Sequence, residues 1–264
     1  MFRLTREVRF AVNPEEDDPL SRPITNGFAG YPSLLGVAHY LALQVTLIGQ
    51  PSADTGCVVD IRHIDRAVRE IAIPMASAFV QRGRLVGGGV LITSIYERLK
   101  DAWPGTELHH LRLTLSPFLT ITLFARELPM IRLSQKFEFS ASHRLHSPKL
   151  TDPENQSLFG KCNNPHGHGH NYVLQVTLAG LPDATGRLID VPQFEKIVAN
   201  TVIDRFDHRY LNVEIPEFVE LIPTVENIAM VIFKLLKSKF EGTSAKLCGV
   251  TLWETTKTWC EYME

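Results

Sequence analysis

The sequence has no excess of basic residues: 27 Lys and Arg stand against 29 Asp and Glu, a formal net charge of −2. With a pI near 6.6, no positive field is available to hold DNA, RNA or an anionic lipid surface. No apolar run approaches membrane-spanning length, and the opening "MFRLTREVRFAVNPEEDD" reaches acidic residues without the apolar core of a secretory leader. Cysteine is scarce, and Cys57, Cys162, Cys248 and Cys260 form no CxxC pair. That usage fits a reducing compartment, where a special cysteine is special for its chemistry. A soluble, cytoplasmic protein with no nucleic acid and no membrane is expected. What the chain does have is 264 residues at 44% hydrophobic content, enough for one large domain or two ordinary ones.

It also repeats itself. "HYLALQVTLIGQPSADTGCVVDI" from His39 matches "HNYVLQVTLAGLPDATGRLIDV" from His170 when LQVTL is laid on LQVTL. Asp60 and Asp190 are equivalent, and each is placed to cap the helix that follows. "REVRFAV" pairs with "QKFEFSA", and "GGGVLITSIYERLK" with "PTVENIAMVIFKLLK". A tandem duplication is expected, with a first domain over residues 1–128 and a second over 129–264.

Each half reads β-β-α-α-β-β. In the second, a strand is expected over about 135–142, a helix over about 191–205 and another from 224 or 225 to about 239. Phe194, Ile197, Val198, Thr201 and Val202 form the apolar face of the first helix; Ile228, Ala229, Ile232, Leu235 and Leu236 form that of the second. Strands paired in hairpins with two helices between them imply an α+β fold, an antiparallel sheet with helices on one face. Such a sheet leaves two open edges, which closure of several sheets into a β-barrel would remove.

"FGKCNNPHGHGHNY" carries the chemistry. On a strand, His166, His168 and His170 would all point one way, and two imidazoles two residues apart can reach one ion. A catalytic zinc takes three protein ligands and keeps one open position. His143, at the end of "FSASHRLHS", is available as a third; in isolation it is an ordinary polar residue at a strand end. Asp207 and His208, adjacent in "DRFDHRYLN", suit a carboxylate that orients an imidazole. Glu254 lies on a strand among apolar neighbours in "VTLWETTK".

"FSASHRLHS", "FGKCNNPHGHGHNY", "DHRYLN", "PTVENIA" and "WET", in this order, resemble the 6-pyruvoyltetrahydropterin synthase family over nearly all of residues 133–263. The resemblance implies the tunnelling fold, whose β-β-α-α-β-β units assemble into barrels. It implies zinc ligands at His143, His168 and His170, a proton-abstracting cysteine at Cys162 and an activating pair at Asp207 and His208. A pterin-anchoring carboxylate falls on Glu254, with supporting contacts at Thr224 and Glu226. His166 stands where the animal enzymes usually carry asparagine, which leaves a swap among the histidines open, and Val225 replaces a threonine.

The implied substrate is 7,8-dihydroneopterin triphosphate. Its 2-amino group and ring N–H form a guanidine-like edge that a carboxylate accepts bidentately. With zinc polarising the side-chain oxygens, a Cys162 thiolate would take and return protons until both hydroxyls are ketones, the pterin ring is reduced internally and triphosphate has left, with no redox cofactor. Lys161 and Arg144 are candidate phosphate contacts. The 6-carboxytetrahydropterin synthase of queuosine biosynthesis is the alternative within the family; its cysteine lies closer to its His-Gly-His than Cys162 does here. A zinc-binding assembly module without turnover is the alternative of another class.

In the first half, His39 matches His170, but Val37 matches His168, Tyr31 matches Cys162 and Pro14 falls at His143. Gly89 replaces Glu226 and Ser116 replaces Glu254. One imidazole cannot hold a catalytic zinc, so the first half is expected to be a structural partner. Family sites lie between subunits, which implies a homo-oligomer. A trimer is favoured, with second halves around one barrel and first halves in another stacked on it.

Overall fold

The computed structural model describes residues 1–14, 30–81 and 87–264; the acidic stretch beginning at Glu15 lies outside the described residues. The chain divides into two compact units, Met1–Leu133 with Gly180–Leu188, and Ser134–Ala179 with Ile189–Glu264.

The first unit runs β1 (Phe2–Val12), β2 (His39–Gly49), α1 (Ile61–Ala67), a π-helical turn (Val68–Ala72), α2 (Ile73–Gln81), α3 (Gly88–Leu99), β3 (Thr106–Thr114) and β4 (Leu119–Phe124). Its strands are antiparallel in the order β1-β2-β3-β4. Register and period-two alternation sort the side chains. Val8, Leu43, Leu113 and Ile121 lie in one cross-strand row and are buried, while the neighbouring row is Glu7, Gln44, Arg112 and Thr122. The apolar face meets the buried sides of the helices, including Ile64, Val68, Ala72, Ile92 and Ile95.

The second unit contains β5 (Ile131–His143), α4 (Asp152–Phe159), a 3-10 turn (Gly160–Asn163), β6 (His168–Gly180), α5 (Val191–Val198), a π-helical turn (Ala199–Ile203) and α6 (Asp204–Phe206). β7 (Arg209–Tyr210), α7 (Leu211–Glu214), α8 (Val225–Leu236), β8 (Ala245–Thr255) and β9 (Thr258–Met263) complete it. Strand order is β5-β6-β8-β9, with β7 parallel to the end of β5. Tyr172, Leu174, Val176 and Leu178 alternate inward from β6 and pack in a core with Phe194, Val198, Val202, Ile228, Ile232 and Leu236. An antiparallel sheet with helices in an α+β arrangement is thus the observed fold class.

Three expectations are corrected. The 191–205 helix carries a π-helical turn at Ala199–Ile203, where one surplus residue is accommodated. Asp60 caps α1 through the Arg62 N–H at 2.9 Å, whereas Asp190 makes no side-chain capping bond. Its equivalent donor is missing because Pro192 occupies that position and has no N–H. The loop after His143 also holds an additional helix, α4, with a capping box between Thr151 and Glu154.

Candidate active site

His143 ends β5 with 0% of its surface exposed, and His168 and His170 open β6 on the same side of the sheet, Gly169 taking the other. One ring nitrogen from each lies within 4.8 Å of the other two. The Nε2 atoms of His143 and His168 are 3.1 Å apart. His143 Nδ1–H donates to the Pro223 carbonyl at 2.7 Å, which turns the Nε2 lone pair toward the cluster. Tyr172, the next inward residue on β6, brings its hydroxyl to 3.4 Å from the same Nδ1. Glu254 Oε1 completes the group at 3.3 Å from His143 Nε2 and 3.7 Å from His170 Nε2. A bulge between Trp253 and Thr255 leaves Glu254 out of the regular β8–β9 ladder.

Burial pushes the His143 imidazole down to about 4; the Pro223 carbonyl opposes that, and His168 and His170 add to it. Burial lowers His168 in the same direction, with His170 contributing. Neutral imidazoles result, with lone pairs to offer. Burial also raises Glu254, against the pull of His170 and with a push from Glu226. His168 Nδ1 and His170 Nε2 are buried without a hydrogen-bond partner. His170 Nε2, which faces Glu254 within the cluster, is the orphaned nitrogen that fits a cation taking its lone pair.

Cys162 is half-buried in the 3-10 turn, and its carbonyl accepts the Leu145 N–H at 2.8 Å, tying the turn to the segment after His143. The Arg144 guanidinium braces that turn through the Asn163 carbonyl at 3.1 Å and the Asn163 Oδ1 at 2.9 Å. Lys161 is exposed. His166 does not align with the other two histidines: it is exposed in a turn before the strand, and Gly167 at φ +74° breaks the alternation. Thr224 caps α8 through the Asn227 N–H at 3.3 Å, and Glu226 is exposed in its first turn.

Asp207 and His208 form a pair of their own. Asp207 Oδ2 lies 2.8 Å from His208 Nδ1, and its Oδ1 accepts the Ser140 N–H at 2.8 Å. The Ser140 N–H and His208 hold Asp207 below the usual carboxylate range. His208 adopts φ 57°, rare for a non-glycine residue, and its N–H bonds the Ser140 carbonyl at 2.6 Å. With Ser140, Ser142 and Asn171 it lines a cleft of about 530 Å³. Ala141, Gly169 and His170 line the same cleft, and the pair meets Ser140 through its main-chain N–H and carbonyl, so it sits beside β5. No hydrogen bond or ion pair joins Asp207 or His208 to that cluster among the described residues.

Sequence reasoning missed Pro223, which acts through a backbone carbonyl and leaves no residue-type signal. It also missed Tyr172, which the alternation from His170 does mark. Ser140 escaped notice because its main chain makes the contact.

The 6-pyruvoyl tetrahydropterin synthase family model matches residues 132–264. A 6-pyruvoyl tetrahydrobiopterin synthase of Homo sapiens is 43% identical over 107 residues, 40% of this chain and 74% of the relative. A 6-carboxy-5,6,7,8-tetrahydropterin synthase of Haemophilus influenzae is 28% identical over 156 residues, 51% of this chain and 100% of the relative. The solved Caenorhabditis elegans 6-pyruvoyl tetrahydropterin synthase has 42% identity and a TM-score of 0.49, covering 52% of this chain and 96% of that one. The family match spans half of the sequence and contains the histidine cluster, Cys162, the Asp207–His208 pair and Glu254, and on it the chain belongs to the 6-pyruvoyl tetrahydropterin synthase family.

Proposed function

We propose that the second unit holds zinc through His143, His168 and His170 and converts 7,8-dihydroneopterin triphosphate to 6-pyruvoyltetrahydropterin, with loss of triphosphate. The reading is carried by three imidazoles converging on one point, with His143 and His168 held neutral by burial. Zinc bound there supplies Lewis acidity to the oxygens of the substrate side chain.

Cys162 is the proton acceptor and donor at the side-chain carbons, held in place by the Arg144–Asn163 brace. Asp207 grips His208 through Nδ1 and leaves Nε2 to accept or deliver a proton. No hydrogen bond or ion pair joins this pair to the histidine cluster among the described residues, and in this reading it serves the Cys162 of another chain, so that the active form is a homo-oligomer. Glu254 and Glu226 present carboxylates to the guanidine-like edge of the pterin, beside Thr224. Lys161 and Arg144 are the cations nearest in sequence for the polyphosphate. The common order of two strands, helices with a π turn, a further helix and two strands supports a tandem duplication, with the first unit a barrel partner that no longer has a zinc site.

The Haemophilus influenzae relative supports a second reading, carbon–carbon cleavage to 6-carboxytetrahydropterin. Incubation with 7,8-dihydroneopterin triphosphate, with products resolved by mass, separates the two. Triphosphate and 6-pyruvoyltetrahydropterin are expected; stoichiometric acetaldehyde selects the second reading. Zinc binding without any turnover reduces the unit to an assembly module.

A further inference from the structure

The segment that carries Cys162 leaves the sheet after His143 and rejoins it at His168. Its outgoing and returning arms meet at one place. The Leu145 N–H donates to the Cys162 carbonyl at 2.8 Å. The Arg144 guanidinium donates to the Asn163 carbonyl at 3.1 Å through Nε and to the Asn163 Oδ1 at 2.9 Å through Nη2. The position of the thiol therefore follows the main chain of the two residues after His143.

That main chain is gripped from outside the segment. Asn212 Oδ1 accepts the Arg144 N–H at 2.7 Å, and Asn212 Nδ2 donates to the Arg144 carbonyl at 2.9 Å. A primary amide carries an acceptor and a donor on one planar group, so it meets both main-chain groups of a residue as a neighbouring strand would. β7 pairs with Ala141 and Ser142, and the Asn212 side chain carries that pairing past His143. The clasp has a firm base. Leu211 beside it is fully buried, and Glu214 Oε1 accepts the Tyr210 N–H at 2.7 Å, closing the turn on which Asn212 stands.

We propose that Asn212 is the positioning residue for Cys162. Its two-pronged amide fixes Arg144, and through Arg144 and Leu145 it sets where the thiol stands relative to His143. The role of the thiol as a base rests on the function proposed above; its placement by Asn212 does not. His143 has a hold of its own on the Pro223 carbonyl at 2.7 Å. Loss of the clasp therefore shifts the thiol and leaves the metal position in place.

Thiol chemistry tests the placement without relying on turnover. Asn212→Leu removes both bonds at nearly constant volume, and Asn212→Ser removes them with a smaller side chain. Arg205→Gln is the comparison, because it breaks the Arg205–Glu217 pair at 2.8 Å, which ties α6 to the Pro216–Phe218 turn. Each full chain, loaded with zinc, is treated with iodoacetamide, and each cysteine-containing peptide is followed by mass spectrometry. In both Asn212 variants Cys162 should be alkylated about tenfold faster than in wild type, as its turn opens more often without the two hydrogen bonds. Zinc content and the rate at exposed Cys57 should stay the same, and Arg205→Gln should keep the wild-type rate at Cys162. In active protein the Asn212 variants should lose about 10–100-fold in kcat with KM nearly unchanged, because the base is displaced and the substrate contacts are not. A wild-type rate at Cys162 in both Asn212 variants overturns the proposal. Equal acceleration in Arg205→Gln also overturns it, since general loosening would then explain the effect. So does failure of both Asn212 variants to fold, which would make the clasp purely structural. Absence of pterin turnover in the wild type would sink the functional reading, and the alkylation rates would still decide the placement.

Discussion

The Pro223 carbonyl accepts the Nδ1 proton of His143 at 2.7 Å, across 80 residues of sequence. A helix start thereby fixes the tautomer of a strand-end imidazole, and zinc affinity depends on both elements. Metal analysis of His168→Ala should show loss of most zinc, and of His39→Ala no loss. Full retention of zinc in a His143/His168 double alanine variant would remove the assignment.

Cys162 sits in a turn held by Asn163 and Leu145, apart from the ring nitrogens that converge on the metal position. Cys162→Ala should keep its zinc and lose about 10²–10⁴-fold in turnover, the usual reach of general acid–base catalysis. Zinc lost along with the thiol would make Cys162 a ligand.

The lack of any hydrogen bond or ion pair between Asp207–His208 and the histidine cluster among the described residues leads to an expectation of complementation between chains. Cys162→Ala and His208→Ala chains, each inactive alone, should recover part of the wild-type activity once unfolded together and reassembled. No recovery after mass spectrometry has established mixed assemblies would mean that the pair and the thiol do not meet between chains.

His110 in the first unit gives a pH prediction away from the metal position. Burial, aided by His109, Arg3 and Arg112, pushes its imidazole down to about 4, and its Nε2 lies 3.2 Å from the Thr46 hydroxyl. The folded pKa is below the unfolded one, so between about 6.5 and 4 the unfolded chain binds more protons. Its contribution to stability is complete above the unfolded value and is lost as pH falls through that window. Urea denaturation at pH 7 and pH 5 should show a smaller acid-induced loss for His110→Gln than for wild type. Equal losses would place the acid sensitivity elsewhere.

Much of the second unit was legible because its signals are periodic. Phe194, Val198 and Val202 recur at helical spacing, and His168, His170 and Tyr172 at strand spacing, and all obey the face the period assigns. The α4 helix was missed although Thr151 and Glu154 spell a capping box, because the repeat guided the reading. His166 was misjudged because period-two logic holds only inside a strand, and β6 begins two residues later. That Asp207–His208 bonds Ser140 and not the cluster was not legible from motif order, which lists residues without saying where each one meets the sheet.

The π-helical turn at Ala199–Ile203 ends one residue before α6, and α6 hands the chain directly to Asp207. Each residue of a helix advances the chain by about 100° around the axis. The surplus residue therefore sets the compass bearing at which the backbone leaves the helix for Ser140. Removing one residue from 199–203 would give a more regular helix and a sturdier fold, and would deliver the Asp207–His208 pair on the wrong heading. In this unit, regularity and activity pull against each other within five residues that contain no functional side chain.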